Sequence, residues 1–289
     1  MFRGLVTAKG RVAKDDQVFS TVGSASFTVP ANVYSISAVC VGAGGGGSDN
    51  RSSGYRGGGA GGDLVYGTFP VTPGETLTIV VGEGGDGGVY SASGNPGEHG
   101  GSSGVKRGSN FILRAKGGKG GGNSSTQDTS LIDSDCTNSA QNSGGAGGGA
   151  STYGIGAGGA GGYSGAGGAG GKSVSSPATA GSGGGGGGGE YATYDRKGGY
   201  GGGVHLYGEG TSGAAGINQP TDWNGEDGSA DAEGKPSSGS SARGGGGPAH
   251  YQAGGSVLGY NGASGSNGGV RLVWPGQSSF FPSTDVGEP

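Results

Sequence analysis

The sequence lacks long apolar runs, and apolar residues are scarce throughout it. Ala, Val, Ile, Leu, Met, Phe, Trp, Tyr and Cys together make up only 29% of the 289 positions. No window approaches the roughly 20 consecutive apolar residues that a transmembrane helix needs. The opening Met-Phe-Arg-Gly-Leu-Val also lacks the apolar stretch of a secretory signal. We therefore expect synthesis in a cytoplasm and no membrane insertion.

Positive charge and metal-binding side chains are also in short supply. Lys and Arg number 17 against 21 Asp and Glu, so the net charge is −4, whereas nucleic-acid-binding proteins usually carry a basic stripe. The three histidines, His99, His205 and His250, are isolated and show no metal-ligand spacing. We expect no nucleic-acid partner, no metal and no cofactor.

Catalytic motifs are missing as well. Gly-x-Gly-x-x-Gly occurs many times, but never between a predicted strand and a predicted helix, which is the context that a dinucleotide site requires. Neither a phosphate-binding loop ending in Gly-Lys-Ser/Thr nor the Gly-x-Ser-x-Gly elbow of hydrolases is present. We expect a protein that is not an enzyme.

Cysteine occurs only twice. Cys40 lies in an apolar run, and Cys136 lies in a polar stretch. Two cysteines do not make a disulfide framework, and a buried free thiol behaves as a small apolar residue. We favour two free thiols, with a disulfide between them left open.

Glycine is what the chain has in excess, at 82 residues against a usual share of roughly 7%. Such a composition ordinarily indicates disorder, and glycine disfavours α-helix by roughly 1 kcal/mol per residue relative to alanine. These glycines, however, are concentrated in tracts rather than scattered. The tracts are 42–47, 57–62, 117–122, 144–149, 154–171, 183–189, 198–203 and 244–247.

The longest tract repeats every three residues. Within 154–171, alanine or tyrosine occupies every third position from Ala157 to Ala169, and glycine fills almost all the others. Three residues per turn is the geometry of polyproline II, which has no internal hydrogen bonds, and collagen would need far more proline. Rods of this kind can satisfy their backbone groups by bonding sideways to one another. We predict a polyglycine-II bundle and essentially no α-helix; a flexible linker is the alternative.

Apolar alternation with a period of two predicts antiparallel strands towards the two ends of the chain. In the run 33–41, Ile36, Ala38 and Cys40 fall on one face, and Val39 and Val41 on the other. Pro73 and Gly74 predict a turn at 72–75, and Trp274 is predicted to be a core residue. Further strands are predicted at 64–69, 77–81, 111–115 and 270–274.

Composition divides the chain into four parts. Residues 1–17 are either an attachment segment for a neighbouring protein or an edge strand. Residues 18–116 form a β-rich part, 117–267 a polyglycine-II bundle with exposed loops, and 268–289 a closing strand and tail. The predicted fold class is therefore all-β combined with a polyglycine-II bundle, with antiparallel strands flanking the packed rods.

Five motifs follow one another along the first half of the chain: Phe-Thr-Val-Pro at 27–30, Val-Gly-Ala-Gly-Gly-Gly-Gly at 41–47, Thr-Pro-Gly-Glu at 72–75, Ile-Val-Val-Gly-Glu-Gly-Gly at 79–85 and the tract 117–122. Their arrangement resembles the glycine-rich domain found in many tail-fibre and related virion proteins of tailed bacteriophages. The closing Gly-Gly-Val-Arg-Leu-Val-Trp-Pro resembles such proteins of marine and cyanobacterial phages, and the resemblance covers about residues 18–284. It implies a polyglycine-II bundle in a virion protein. The same type of domain occurs in an animal receptor-kinase ectodomain, so the fold alone does not fix the function.

If the rods form a scaffold, recognition must reside in the loops that join them. Three loops carry most of the side-chain variety: 123–142, 190–197, and 204–207 leading on to 218–223. Aromatic rings beside carboxylates suit sugar rings and peptide loops alike, and packing within the bundle is the alternative role for each residue. The predicted receptor-binding residues are Tyr191, Tyr194, Asp195, His205, Tyr207, Asp222 and Trp223.

We therefore expect a host-recognition component, or adhesin, of a tail fibre or baseplate on the virion surface. Its expected partners are a host surface glycan or outer-membrane protein, other virion proteins through the terminal segments, and further copies of itself, for instance as a trimer. One alternative is a non-receptor virion part, such as a capsid decoration or tail accessory. The others are an extracellular glycine-rich protein of a cell and an RNA-binding glycine-rich protein.

Overall fold

Two five-stranded antiparallel β-sheets and an array of glycine segments make up the computed structural model. No described residue is α-helical, as the glycine content predicted, and none belongs to a helix long and apolar enough to cross a bilayer. The structure describes residues 14–49, 57–91, 94–123, 125–126, 128–149, 155–191, 198–217, 224–229, 242–249, 261–276 and 280–282.

The chain passes between the two sheets four times, after β1, β2, β4 and β8. One sheet has the order β1-β10-β3-β4-β9, and the other has the order β2-β5-β6-β7-β8. The strands are β1 Asp15–Phe19, β2 Gly23–Thr28, β3 Ser35–Val41, β4 Leu64–Pro70, β5 Thr76–Val81, β6 Ser103–Arg107, β7 Asn110–Ala115, β8 Leu131–Ile132, β9 Thr137–Asn142 and β10 Gly269–Trp274.

All the strands predicted from apolar alternation are present, as is the turn at 72–75, where Gly74 has a φ of 82°. Residues 15–17 belong to edge strand β1, in line with one of the two hypotheses for the segment 1–17. Strands β8 and β9 fall in the stretch 123–142, which the sequence predicted to be an exposed loop. The residues of β9 are mostly polar, and this strand is held at a sheet edge by backbone pairing with β4.

Strand β3 separates two apolar clusters. Ile36, Ala38 and Cys40 face the core between the sheets, where they pack with Trp274 and other residues of both sheets. Val39 and Val41 face a second cluster, which covers the outer surface of the β3 sheet. The predicted division of the two faces is confirmed, and Trp274 is buried as expected. The second cluster contains Leu64, Tyr66, Ala160, Tyr163, Val204, Leu206, Val273 and Phe281 as well.

Both cysteines are free thiols in this structure. Cys40 is fully buried in the intersheet core, where burial raises its thiol pKa. Cys136 packs at the edge of that core, and burial raises its pKa to about 11.

Because the thiolate is the reactive form, we expect Cys136 of the folded protein to be alkylated by iodoacetamide about 100-fold more slowly than an ordinary thiol at about pH 8. Cys40 should not react at all on that timescale. Mass spectrometry of the adducts would measure both rates, with urea-unfolded protein as the control in which both thiols react. Rapid labelling of Cys136 in folded protein would contradict the burial described here.

The strands feed into glycine segments at one end of the sandwich. The chain runs from the ends of β3, β5, β7 and β9 into glycine segments that begin at residues 42, 82, 116 and 143. It enters β4, β6 and β10 from glycine segments that end at residues 63, 102 and 268. The opposite end, which we call the turn end, carries the turns 71–75 and 108–109. Segments from both sides of position 117 join the array, so it is not confined to the part 117–267.

Successive backbone amides of a glycine segment donate hydrogen bonds to different neighbouring segments, in an order that repeats every three residues. In the segment 42–49, residues three apart donate their amides to the same neighbour, and successive residues donate to three different neighbours, at N···O distances of 2.8 to 3.1 Å. A three-residue rotation of this kind satisfies the backbone without helix or sheet. The acceptors are Asp63, Ala60 and Gly57 for residues 42, 45 and 48, then Gly101, Glu98 and Asn95 for 43, 46 and 49, and Ser266 and Ala263 for 44 and 47.

Candidate recognition end of the glycine array

At the end of the array far from the sandwich, most of the glycine segments that the structure describes begin or end. Lateral hydrogen bonds join residues near the ends of these segments, so the segment ends lie at one level. The amide of Ser48 donates to the Gly57 carbonyl, that of Gly199 to the Glu190 carbonyl, and that of Ala249 to the Ile155 carbonyl, at N···O distances of 2.7 to 3.0 Å. We call this level the loop end. We call the stretches of sequence between its described residues the crossings; they are 50–56, 92–93, 150–154, 192–197, 218–223 and 250–260.

Side-chain oxygens complete the lateral network near the loop end. The buried Asp49 accepts a hydrogen bond from the Ser91 amide at 3.0 Å. Glu190, which is also buried, accepts one from the Ala178 amide at 3.0 Å and another from the Tyr191 amide at 2.8 Å. These oxygens take the place of backbone carbonyls, so they fix the positions from which the crossings start.

Tyr191 is the one predicted receptor-binding residue that the structure describes at the loop end. Its side chain is 3% exposed, so it is covered by the array rather than presented to solvent. Tyr194, Asp195, Asp222 and Trp223 lie outside the described residues. The described residues before and after them, however, belong to the loop end.

His205 and Tyr207 lie at the other end of the array, against the sandwich. They belong to a tight turn whose Val204 and Leu206 enter the second apolar cluster. The Tyr163 hydroxyl donates to the carbonyl of His205 at 3.0 Å and accepts from the amide of Gly208 at 3.2 Å. His205 and Tyr207 are 5% and 8% exposed, so packing, the alternative role, accounts for their side chains.

A buried arginine explains the position of Tyr207. Arg271 of β10 is fully buried, and its guanidinium carbon lies 4.3 Å from the centre of the Tyr207 ring. Its Nε donates to an Asp16 carboxylate oxygen at 2.7 Å, and its Nη1 donates to the Leu206 carbonyl at 3.4 Å. Burial raises the pKa of Tyr207, although the Arg271 charge acts in the opposite direction. This cluster joins the array to the sandwich.

The predicted site residues are therefore not brought together. Tyr191 marks the loop end, whereas His205 and Tyr207 belong to the junction with the sandwich. Their role in binding a receptor stays a prediction, as does that of the four residues outside the described part. The sequence analysis missed Asp16 and Arg271, which lie 255 positions apart in the chain, and no local pattern signals such a pair.

One pair of side chains has the spacing of a nucleophile and its base. His99 Nε2 lies 2.6 Å from the Ser125 hydroxyl oxygen, but Nδ1 accepts a hydrogen bond from the Gly120 amide. The proton of the neutral ring must therefore sit on Nε2, which donates to Ser125 and cannot take its proton. Burial also lowers the pKa of His99, which favours the neutral ring. This geometry does not activate the serine.

A cation site is not evident either. Among the residues that the structure describes, no three His, Cys, Asp or Glu side chains lie close enough together to hold a metal ion.

Comparison with known proteins identifies a family. A family model described as a glycine-rich domain matches residues 20–275. Its span runs from just before β2 to just after β10, and so takes in the glycine array and every strand except β1. A search among curated proteins finds no match. Because the model covers most of the sequence, the chain belongs to the glycine-rich domain family.

Proposed function

We propose that this chain is a virion protein of a tailed bacteriophage, serving as a host-recognition component of a tail fibre or baseplate. Its loops would bind the host cell surface while the glycine array holds them in place. The observation that carries this proposal is that the described residues before and after these loops lie together at the loop end, opposite the sandwich. Binding, rather than catalysis, is the mechanism.

We propose further that the glycine segments are polyglycine-II rods. Support comes from the three-residue rotation of their lateral bonds, because three residues per turn is the period of this helix. With a rise of about 3.1 Å per residue, a segment as long as 42–49 would span about 25 Å. Rods tied to several neighbours would be stiff, and preorganised loops lose less entropy when they dock.

The composition of the crossings suits a binding surface. Within the ranges given above they contain five of the twelve tyrosines, Trp223, and the cations Arg51, Arg56, Arg196 and Lys197, against two acids, Asp195 and Asp222. Aromatic residues and arginine are the usual anchors of interfaces. The excess of two positive charges, in a chain with net charge −4, also suits anionic groups on a host glycan or outer-membrane protein. The five tyrosines are Tyr55, Tyr153, Tyr194, Tyr251 and Tyr260.

The turn end supports a separate role in attachment. Strand β1 begins there and β10 ends there, since Asp15 pairs with Trp274. The start of β1 and the end of β10 thus lie at the end of the sandwich opposite the loop end. We propose that contacts with other virion proteins, and with further copies of this chain, form on this side.

A competition experiment tests the adhesin proposal. Purified full-length protein should bind host cells and block adsorption of the phage. A variant carrying Tyr194→Ala and Trp223→Ala should block at least about 100-fold more weakly, because aromatic anchors often contribute 2 kcal/mol or more each. Circular dichroism and thermal unfolding of the variant should match the wild type.

Tyr34→Ala is the matched control, since Tyr34 is 56% exposed and lies at the turn end. This variant should block adsorption as well as the wild type does. If wild-type protein neither binds cells nor blocks adsorption, the adhesin proposal is wrong. Immunogold labelling that then places many copies on the capsid would support the alternative, a structural virion part.

A further inference from the structure

Three asparagine–glycine pairs occur in the sequence, and all of them lie in the glycine array. They are Asn224-Gly225, Asn261-Gly262 and Asn267-Gly268. In each pair the asparagine is exposed, so water reaches its side chain. An asparagine followed by glycine is especially prone to deamidation, because glycine has no side chain to hinder closure of the succinimide ring.

Both reacting groups of each pair are tied to a neighbouring segment. The asparagine Oδ1 atoms accept hydrogen bonds from the amides of Tyr200, Tyr90 and Gly84, respectively, at 2.8 to 2.9 Å. The glycine amides that follow donate to the carbonyls of Tyr200, Gly88 and Gly82, respectively, at 2.8 to 2.9 Å. The same two-bond arrangement therefore occurs three times.

Deamidation requires both groups to turn towards each other. The glycine nitrogen loses its proton and attacks the asparagine Cγ, so that an N–C bond forms and the side-chain nitrogen leaves as ammonia. Water then opens the resulting succinimide to aspartate or isoaspartate. In the array the glycine N–H is engaged with a neighbour, and the side-chain amide is held sideways by its Oδ1 bond.

We infer that the lateral network protects these three pairs from deamidation, and that each becomes reactive only when its own pair of bonds opens. Local opening, not exposure of the side chain, then sets the rate. The product matters for the fold, because isoaspartate adds a methylene to the backbone of a segment whose bonds repeat every three residues. These pairs are the places where chemical ageing would disrupt the array.

Peptide mapping by mass spectrometry tests the inference on the full chain. Incubated at mildly alkaline pH, the folded protein should deamidate at each pair at least about tenfold more slowly than the urea-unfolded protein, as two intact hydrogen bonds imply. Equal rates in folded and unfolded protein would overturn the inference.

A single substitution separates the lateral bonds from folding in general. Tyr90→Pro removes the amide that holds Asn261 and leaves the bonds of Asn224 and Asn267 in place, so these two serve as internal controls. Asn261 should deamidate several-fold faster in this variant and remain slow in Tyr90→Ala, which keeps the amide. An unchanged rate at Asn261 in a folded Tyr90→Pro protein would contradict the inference.

Hydrogen exchange gives a second measurement should Tyr90→Pro fail to fold. In the wild type, the amides of Gly225, Gly262 and Gly268 should exchange slowly, and the slowest of them should belong to the pair that deamidates most slowly. Rapid exchange at all three glycines would refute the proposed protection.

Discussion

Replacing Gly145 with alanine is expected to lower the free energy of unfolding by about 3 kcal/mol or more, whereas Gly149→Ala should change it by less than about 0.5 kcal/mol. Both glycines belong to the segment that follows β9. A Cβ added at Gly145 would lie well inside 3.0 Å of backbone atoms of Gly168, while one added at Gly149 would meet nothing within 4 Å. Neither glycine has a positive φ. The comparison of the two variants therefore measures the effect of the steric contact, without a contribution from backbone strain.

The neighbour of Gly145 cannot move aside. The Gly168 amide donates to the Gly186 carbonyl at 2.9 Å, and the Gly168 carbonyl accepts from the Gly159 amide at 2.8 Å. Any shift that made room for a methyl group would therefore break bonds to two further segments. The free energy needed is large because the obstacle is bonded backbone and not a side chain that can change rotamer.

Urea unfolding of the full-length variants, followed by circular dichroism, measures both effects. Wild-type m-values in both variants would show that the native and unfolded states are still comparable. If Gly145→Ala were as stable as Gly149→Ala, the close packing of the segments would be wrong. If both variants were strongly destabilised, the effect would lie in glycine content and not in local contact.

The second large effect concerns the buried ion pair. Asp16→Asn should destabilise the protein by about 2–3 kcal/mol, because the fully buried guanidinium of Arg271 would lose its anionic partner. This figure lies below the upper range for buried pairs because the Asp16 side chain is 29% exposed while that of Arg271 is fully buried. Loss of the pair should also loosen the contact between Arg271 and Tyr207.

Asp15→Asn is the matched control for this prediction. Asp15 is exposed and lies next to Asp16 on β1, and its change should stay within about 0.5 kcal/mol. Thermal unfolding of both variants at moderate ionic strength provides the comparison. A double variant, Asp16→Asn with Arg271→Met, should lose less stability than the sum of the two single changes. Additive losses would show that the two side chains do not interact.

Sequence patterns predicted the part of the fold that depends on side chains. Alternation in β3 indicated correctly which residues face each cluster, because a strand with two covered faces must be apolar on both. Strand β9, Thr-Asn-Ser-Ala-Gln-Asn, escaped prediction because it is held by backbone pairing at a sheet edge. Backbone hydrogen bonds do not depend on the side chains, so a polar sequence gives no pattern from which such a strand can be predicted.

The candidate site was harder to predict for a related reason. His205 and Tyr207 have the polar and aromatic character of a binding loop, yet Val204 and Leu206 anchor their turn in the second cluster. Two apolar residues in a short run poor in glycine were the signal that could have revealed this. The convergence at the loop end could not be predicted at all, because it depends on which segments are neighbours across the whole chain.

The rotation of donors along each segment also bears on how such proteins can change length. Deleting or inserting one or two residues would redirect every subsequent amide to the wrong neighbour, and the mismatch would spread through the rest of the segment. A step of three residues leaves each amide opposite its original neighbour and only makes the segment longer or shorter. We therefore expect changes of length within the segments to come in steps of three residues, because only such steps keep every amide opposite its own acceptor.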